Sequence, residues 1–201
     1  MNDDAAHPAP RPNKAAITRG IILEAARRRF LQESYDSVGL RDIARDASVD
    51  VALVSRYFGS KESLFRQVLG VGSKDEILPA GLKDQDIPAF LTGLFLEQGG
   101  EEEGGEHLER LLIMLRSASS PIASQIVRET LKTDILLPLA ARLEGEAPEV
   151  RASLSMAVWM GLTVLRTVMS VKPLCDEARD ITPRLEQLFE AALRDGRAPH
   201  A

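Results

Sequence analysis

The chain has 201 residues, 44% of them apolar and 27% charged, with 14 Gly, 11 Pro and one Cys. That is enough to bury a substantial core, and the balance excludes collagen-like and wholly disordered chains. The lone Cys175 excludes a disulfide framework or a multi-cysteine zinc site, so the cytoplasm is the expected compartment. Aromatic residues make up only 4%, which argues against a platform for stacking single-stranded bases. The net charge is −5, yet residues 14–74 hold 11 basic and 7 acidic side chains whereas 75–201 hold 13 and 21. Either the first third is built to meet a polyanion, or the excess is chance fluctuation in a short window.

Residues 1–13 (MNDDAAHPAPRPN) are rich in Pro, Ala and polar groups and are expected to form a disordered arm. They lack the basic and apolar regions of a secretory signal. No apolar run approaches the roughly 20 residues needed to cross a bilayer, so no membrane contact is expected. A first helix is predicted over 18–33, with Ile22, Ala26 and Phe30 at four-residue spacing. A short polar stretch leads to a second helix over 40–47, with Gly39 in the N-cap position. Ser48 and Val49 make a turn, and Asp50 caps a third helix ending near Tyr57. Phe58-Gly59 breaks the run before a fourth helix from about 60 to 69.

Longer helices are predicted over 87–97, 107–117, 121–143, 149–171 and 182–194. The Gly/Glu-rich connection over 98–107 reads as solvated; its carboxylates and His107 could instead hold a metal, but no metal or other cofactor is expected. Pro138 predicts a kink near Asp134, because proline removes a helical hydrogen bond. No segment alternates apolar and polar residues as a strand would. The class is all-α.

The second and third helices have helix-turn-helix spacing, which lays the second of the pair in a DNA major groove. Ile43, Ala44, Val49, Val54 and Phe58 are spaced to hold the pair together, leaving Val51, Ala52, Ser55 and Arg56 outward. Arg56 supplies a planar fork for guanine O6 and N7, and Val51 or Ala52 suits a thymine methyl. Arg41 and Lys61 are placed to meet phosphates on either side. By spacing alone, an ordinary helical hairpin in a nucleic-acid-free sensor or scaffold fits as well. An enzyme finds little support: three scattered His residues and no visible nucleophile–base pair offer no acid–base set.

At these residues the sequence resembles the DNA-binding domain of the TetR family of bacterial repressors. The likeness runs from Arg19 to Phe65 and is densest in GLRDIARDASVDVALVSRYFGSKESLF. It implies a three-helix N-terminal DNA-binding domain, joined through a fourth helix to a larger helical domain that binds ligand and dimerises. It divides the chain into the arm at 1–13, a DNA-binding domain at 14–74 (helix-turn-helix about 39–58) and a regulatory domain at 75–201. By position, Arg41, Val51, Ala52, Leu53, Ser55, Arg56, Tyr57 and Lys61 fall where relatives touch DNA, Tyr57 and Lys61 at phosphates. Ser34 and Ser48 stand where relatives usually carry Gly, so each is strained if its turn needs positive φ. Ser55 replaces a common Tyr in the reading helix.

In the C-terminal part, Val158, Leu162, Leu165 and Met169 make one apolar stripe, and Leu185, Leu188, Phe189 and Ala192 a second. Two such helices per subunit suit an isologous four-helix interface; the alternative is that both face the monomer core. Phe90, Phe95, Met114, Ile126 and Trp159 are the expected lining of a pocket for a small apolar effector, though a plain core has the same composition. The expected protein is a ligand-responsive repressor that binds double-stranded DNA, at a near-palindromic operator, as a homodimer.

Overall fold

Helix α1 (Lys14–Gln32) turns Ile22, Ala25, Ala26 and Phe30 inward at three- and four-residue spacing. Its Arg27, Arg28 and Arg29 go outward, where Arg27 and Arg28 pair with Glu24. The computed structural model describes residues 14–70, 78–79, 81–97, 103–175 and 178–196. The expected arm at 1–13 and the expected domain boundary between 74 and 75 lie outside these residues. After α1 come a 3-10 turn (Tyr35–Ser37), α2 (Leu40–Asp46), α3 (Val51–Phe58) and α4 (Lys61–Val68). A second 3-10 turn (Asp84–Asp86) precedes α5 (Ile87–Leu96), α6 (Glu103–Ser117) and α7 (Pro121–Thr130). Leu131–Leu136 is π-helical and runs into α8 (Leu137–Ala140). Then follow α9 (Pro148–Thr163), a π-helical stretch (Val164–Val168), α10 (Lys172–Cys175) and α11 (Ala178–Leu193). All regular structure among the described residues is helical.

Two apolar cores organise the molecule. The first joins α1 to α4, centred on Phe30, Tyr35 and Phe65, whose rings stack or meet edge to face at 4.9 to 6.0 Å. It also takes in Ile113 and Met114 of α6 and Ala123 and Ile126 of α7. Polar contacts reinforce that junction: Arg27 pairs with Glu109, Arg66 with Glu129 at 2.7 Å, and Ser120 Oγ donates to Asp36 at 2.9 Å. The second core gathers Ile87, Leu91, Phe95, Leu111, Leu139, Trp159, Leu185 and Phe189 from α5, α6, α8, α9 and α11.

Several sequence expectations change here. Helix α6 begins at Glu103, four residues before His107, and so takes up part of the stretch read as a solvated loop; Gln98 to Glu102 lie outside the described residues. Where a kink was expected near Asp134, the chain is π-helical, and Leu137 N–H donates to Lys132 O five residues back. Pro138 has no N–H to give, so the helix widens by a residue before it resumes. Arg166, between Leu165 and Met169 of the first apolar stripe, turns inward: its guanidinium donates to Phe95 O at 2.9 Å and lies over the Phe95 ring at 5.0 Å. A cation there satisfies the carbonyl end of α5.

Candidate nucleic-acid interface

Helix α3 owes its position to three local devices. Asp50 is extended and its carboxylate accepts the N–H of Ala52 at 2.7 Å, an N-cap that fixes where α3 starts. Ser48 has φ of +53°, and the bonds Val49 N–H to Ala44 O (2.9 Å) and Ser48 N–H to Arg45 O (3.1 Å) close α2 as a Schellman turn. Ser48 therefore carries the left-handed strain expected of it. Ser34 does not: it lies in extended backbone (φ −67°, ψ 156°) ahead of the 3-10 turn, a conformation any residue adopts. Gly59, at φ +77°, ends α3, and Ser60 Oγ then caps α4 by accepting Ser63 N–H at 3.1 Å.

Val54 and Phe58, four residues apart, are buried against α1, α2 and α4 and set which way α3 faces. Val51, Ala52, Ser55 and Arg56 consequently lie exposed on the other side. Leu53 is half-buried, and Tyr57 is half-buried with its ring packed on the first core. Arg41 is exposed at the first turn of α2. Neither Arg41 nor Arg56 is ion-paired among the described residues, in contrast to Arg45, held by Asp42 at 2.6 Å. Two guanidinium groups flanking a surface of small side chains suit approach to a groove lined by phosphates.

Lys61 is half-buried, with its ammonium 4.2 Å from the centre of the Tyr35 ring. Burial pulls its pKa below the ordinary lysine value, against the opposing pull of Asp36 and Glu62. Burial likewise pushes the Tyr35 hydroxyl up to about 12, with the Glu62 carboxylate adding to it. The carboxylate of Glu62 is itself held below its usual range by backbone and Ser60 hydrogen bonds at the N-terminus of α4.

A cavity of about 260 Å³ opens in the larger helical part, between the end of α4 and helices α5 to α9. Met114 and Trp159 line it. Phe95 and Ile126 are buried in the second and first cores, and Phe90 packs partly buried on the second; none of the three lines the cavity. On α9 and beyond, Val150, Leu154, Leu165, Val168 and Met169 are exposed along one side, with exposed Ala157 and Gly161 between them, and Leu188 is exposed on α11. Val158, Leu162 and Ala192 are half-buried, while Leu185 and Phe189 sit inside the second core. The stripe read on α11 is thus divided: its inner residues anchor the helix and Leu188 faces out.

Residues 91–193 match the family model described as tetracyclin repressor-like, C-terminal domain, and residues 22–68 match that of bacterial regulatory proteins, tetR family. The chain belongs to the TetR family. TetR-family proteins are DNA-binding transcriptional repressors, and the chain is such a regulator rather than an enzyme or a nucleic-acid-free scaffold. Solved structures share the fold. GusR of Salmonella enterica superposes with a TM-score of 0.69 at 16% identity, over 92% of this chain and 99% of that one. NalD of Pseudomonas aeruginosa, the secondary repressor of the MexAB-OprM multidrug efflux pump, gives 0.66 at 20% identity, over 92% and 100%. SmeT in complex with triclosan gives 0.62 at 22% identity, over 92% and 96%. No curated protein sequence matches the chain.

Among the described residues, no helix is long and apolar enough to cross a membrane. What sequence reasoning missed in this TetR-family chain is the junction itself. Arg110, which lines the cavity and lies against Gly70 at the end of α4, is not among the residues the sequence pointed to; its one signal is a cation opening the apolar run 111–115 of α6.

Proposed function

We propose that this regulator reads double-stranded operator DNA through the exposed side of α3, as a cytoplasmic homodimer whose affinity for DNA responds to a small molecule. The reading rests chiefly on the α3 face, where Val51, Ala52, Ser55 and Arg56 are left open by the burial of Val54 and Phe58. Arg56 grips a guanine edge, and Val51 and Ala52 meet thymine methyls. Arg41, Tyr57 and Lys61 hold phosphates, Lys61 after leaving the Tyr35 ring, and Leu53 and Ser55 complete the contact. The DNA-binding domain spans 14–74 and the regulatory domain 75–201.

The exposed side chains from Val150 to Met169, with Leu188, form the twofold interface, joined by the half-buried Val158, Leu162 and Ala192. Apolar groups spaced along a whole helix are unfavourable in water and suited to a matching copy. Two α3 helices then face successive major grooves, which gives a near-palindromic operator. The cavity lined by Met114 and Trp159 takes the effector, a reading supported by the complex of SmeT, a protein of like fold, with triclosan. Ligand binding shifts the dimer between states that fit and misfit the operator, by the difference in affinity for the two.

An electrophoretic shift assay on DNA flanking the gene tests the reading. Arg56→Ala is expected to relax sequence preference at a cost of about 1–3 kcal/mol, and Lys61→Ala to weaken all sequences alike and flatten the salt slope. Unchanged binding by both variants refutes the residue assignment.

A further inference from the structure

We propose that the effector is a small amphiphile with an apolar body and a single acid group, and that Arg110 reads the acid. The inference rests on the ligand-responsive reading above and names the chemistry of its site. At about 260 Å³ the cavity lies just below the range typical of ligand pockets, so its occupant is small. Leucines, methionines and the Trp159 ring make most of its wall, which fixes an apolar body.

The polar groups on the wall decide the rest. Several are already engaged: Thr130 Oγ1 donates to Ile126 O at 2.8 Å and Ser155 Oγ to Arg151 O at 3.0 Å, and His107 has a partner of its own. Two charged groups remain on the wall, the Asp134 carboxylate and the Arg110 guanidinium. The Arg110 side chain is three-quarters buried, and the Glu106 carboxylate stands off at 3.9 Å, beyond hydrogen-bonding distance. A guanidinium has five donors and no acceptor. Partly desolvated with that little compensation, it favours a carboxylate or equivalent anion. Asp134, on the same wall, disfavours a second negative charge on the ligand.

The same arginine reaches the DNA-binding half. A methyl group added at Gly70 would lie 2.8 Å from Arg110 Cζ, so the guanidinium lies flat against the residue that closes α4 at φ +77°. Arg110 also borders a second cavity of about 250 Å³ between α1, α4 and α6, beside the Arg27–Glu109 pair. An acid drawing Arg110 into the first cavity takes a cation away from the negative end of α4 and from that junction.

Trp159 is the only tryptophan in the chain and lines the cavity, so its emission reports occupancy. The full-length protein is titrated at pH 7.5 with octanoate, n-octanol and octyltrimethylammonium, and the titrations are repeated with Arg110→Met. Octanoate is expected to bind about 10- to 100-fold tighter than octanol, the range for a hydrogen bond to a charged group. In Arg110→Met that preference disappears while octanol still binds, which also shows that the variant is folded. Equal binding of octanoate and octanol by the natural protein, a preference for the ammonium, or a preference for octanoate that survives in Arg110→Met overturns the proposal and leaves the sensor reading standing. A Trp159 emission that none of the three probes alters sinks both.

Discussion

Asp50 offers a sharp test of how the reading helix is held. Its carboxylate accepts the Ala52 N–H at 2.7 Å, and it is exposed, so nothing but the cap and the helix end is disturbed by replacing it. Losing an N-cap acceptor costs about 1 kcal/mol, within a range of roughly 0.5–2. Losing a negative charge at a helix N-terminus costs a further 0.3–1 kcal/mol, approximately. Asp50→Ala should therefore cost about 1–2 kcal/mol, which for a chain of this length lowers the melting midpoint by roughly 3–6 °C. Asp50→Asn keeps the acceptor and loses only the charge, so it should cost less than about 1 kcal/mol. Thermal melts by circular dichroism rank the three proteins. Operator binding separates the variants further, because Asn removes a negative charge beside the DNA while preserving α3, and should bind at least as tightly as the natural protein. The reasoning fails if Asn melts as low as Ala, or if Ala melts within about 1 °C of the natural protein.

Three more outcomes follow from particular contacts. Ser48→Gly removes the left-handed strain at φ +53° and should raise stability by about 1 kcal/mol, read as a higher melting midpoint; a lower midpoint contradicts the Schellman turn. Leu154→Glu puts a charge in the middle of the exposed α9 stripe. It should sediment as a monomer and bind the operator at least about 100-fold more weakly through lost avidity, whereas a persisting dimer moves the interface elsewhere. Arg29 hydrogen-bonds Asp46 and holds its carboxyl below the usual aspartate range. A depressed acid stabilises the fold above its unfolded pKa and ceases to as pH falls through the folded one. Solvent screens a surface pair of this kind, so the melting advantage over Asp46→Asn should be small, present at pH 6, and shrink to nothing as pH falls below the normal aspartate range. A gap independent of pH counts against the pairing.

Local chemistry was legible in the sequence; the choice of partner for each face was not. Asp50 and Gly59 announced the limits of α3, because capping and positive φ are decided within a few residues. Val54 and Phe58 announced its inner side by spacing alone. Leu185 and Phe189, by contrast, belong to the second core although their spacing equally suits a subunit interface. A stripe gives an apolar direction, but two packed layers compete for it. Ile126 reads as pocket and packs under the DNA-binding helices for the same reason. Glycines at 104 and 105 argued against a helix that α6 nonetheless forms. Contacts distant in sequence, such as Arg27 with Glu109, hold that helix against α1.

The first core does not respect a division between a reading part and a sensing part. Phe65, Val68 and Leu69 share it with Ile113, Met114, Ala123 and Ile126. A chimaera that grafts residues 14–70 onto another regulator would thus transplant only one side of a jointly packed interior. To keep that interior intact, the graft must also bring these four side chains, together with Glu109, Ser120 and Glu129 that bind across the seam.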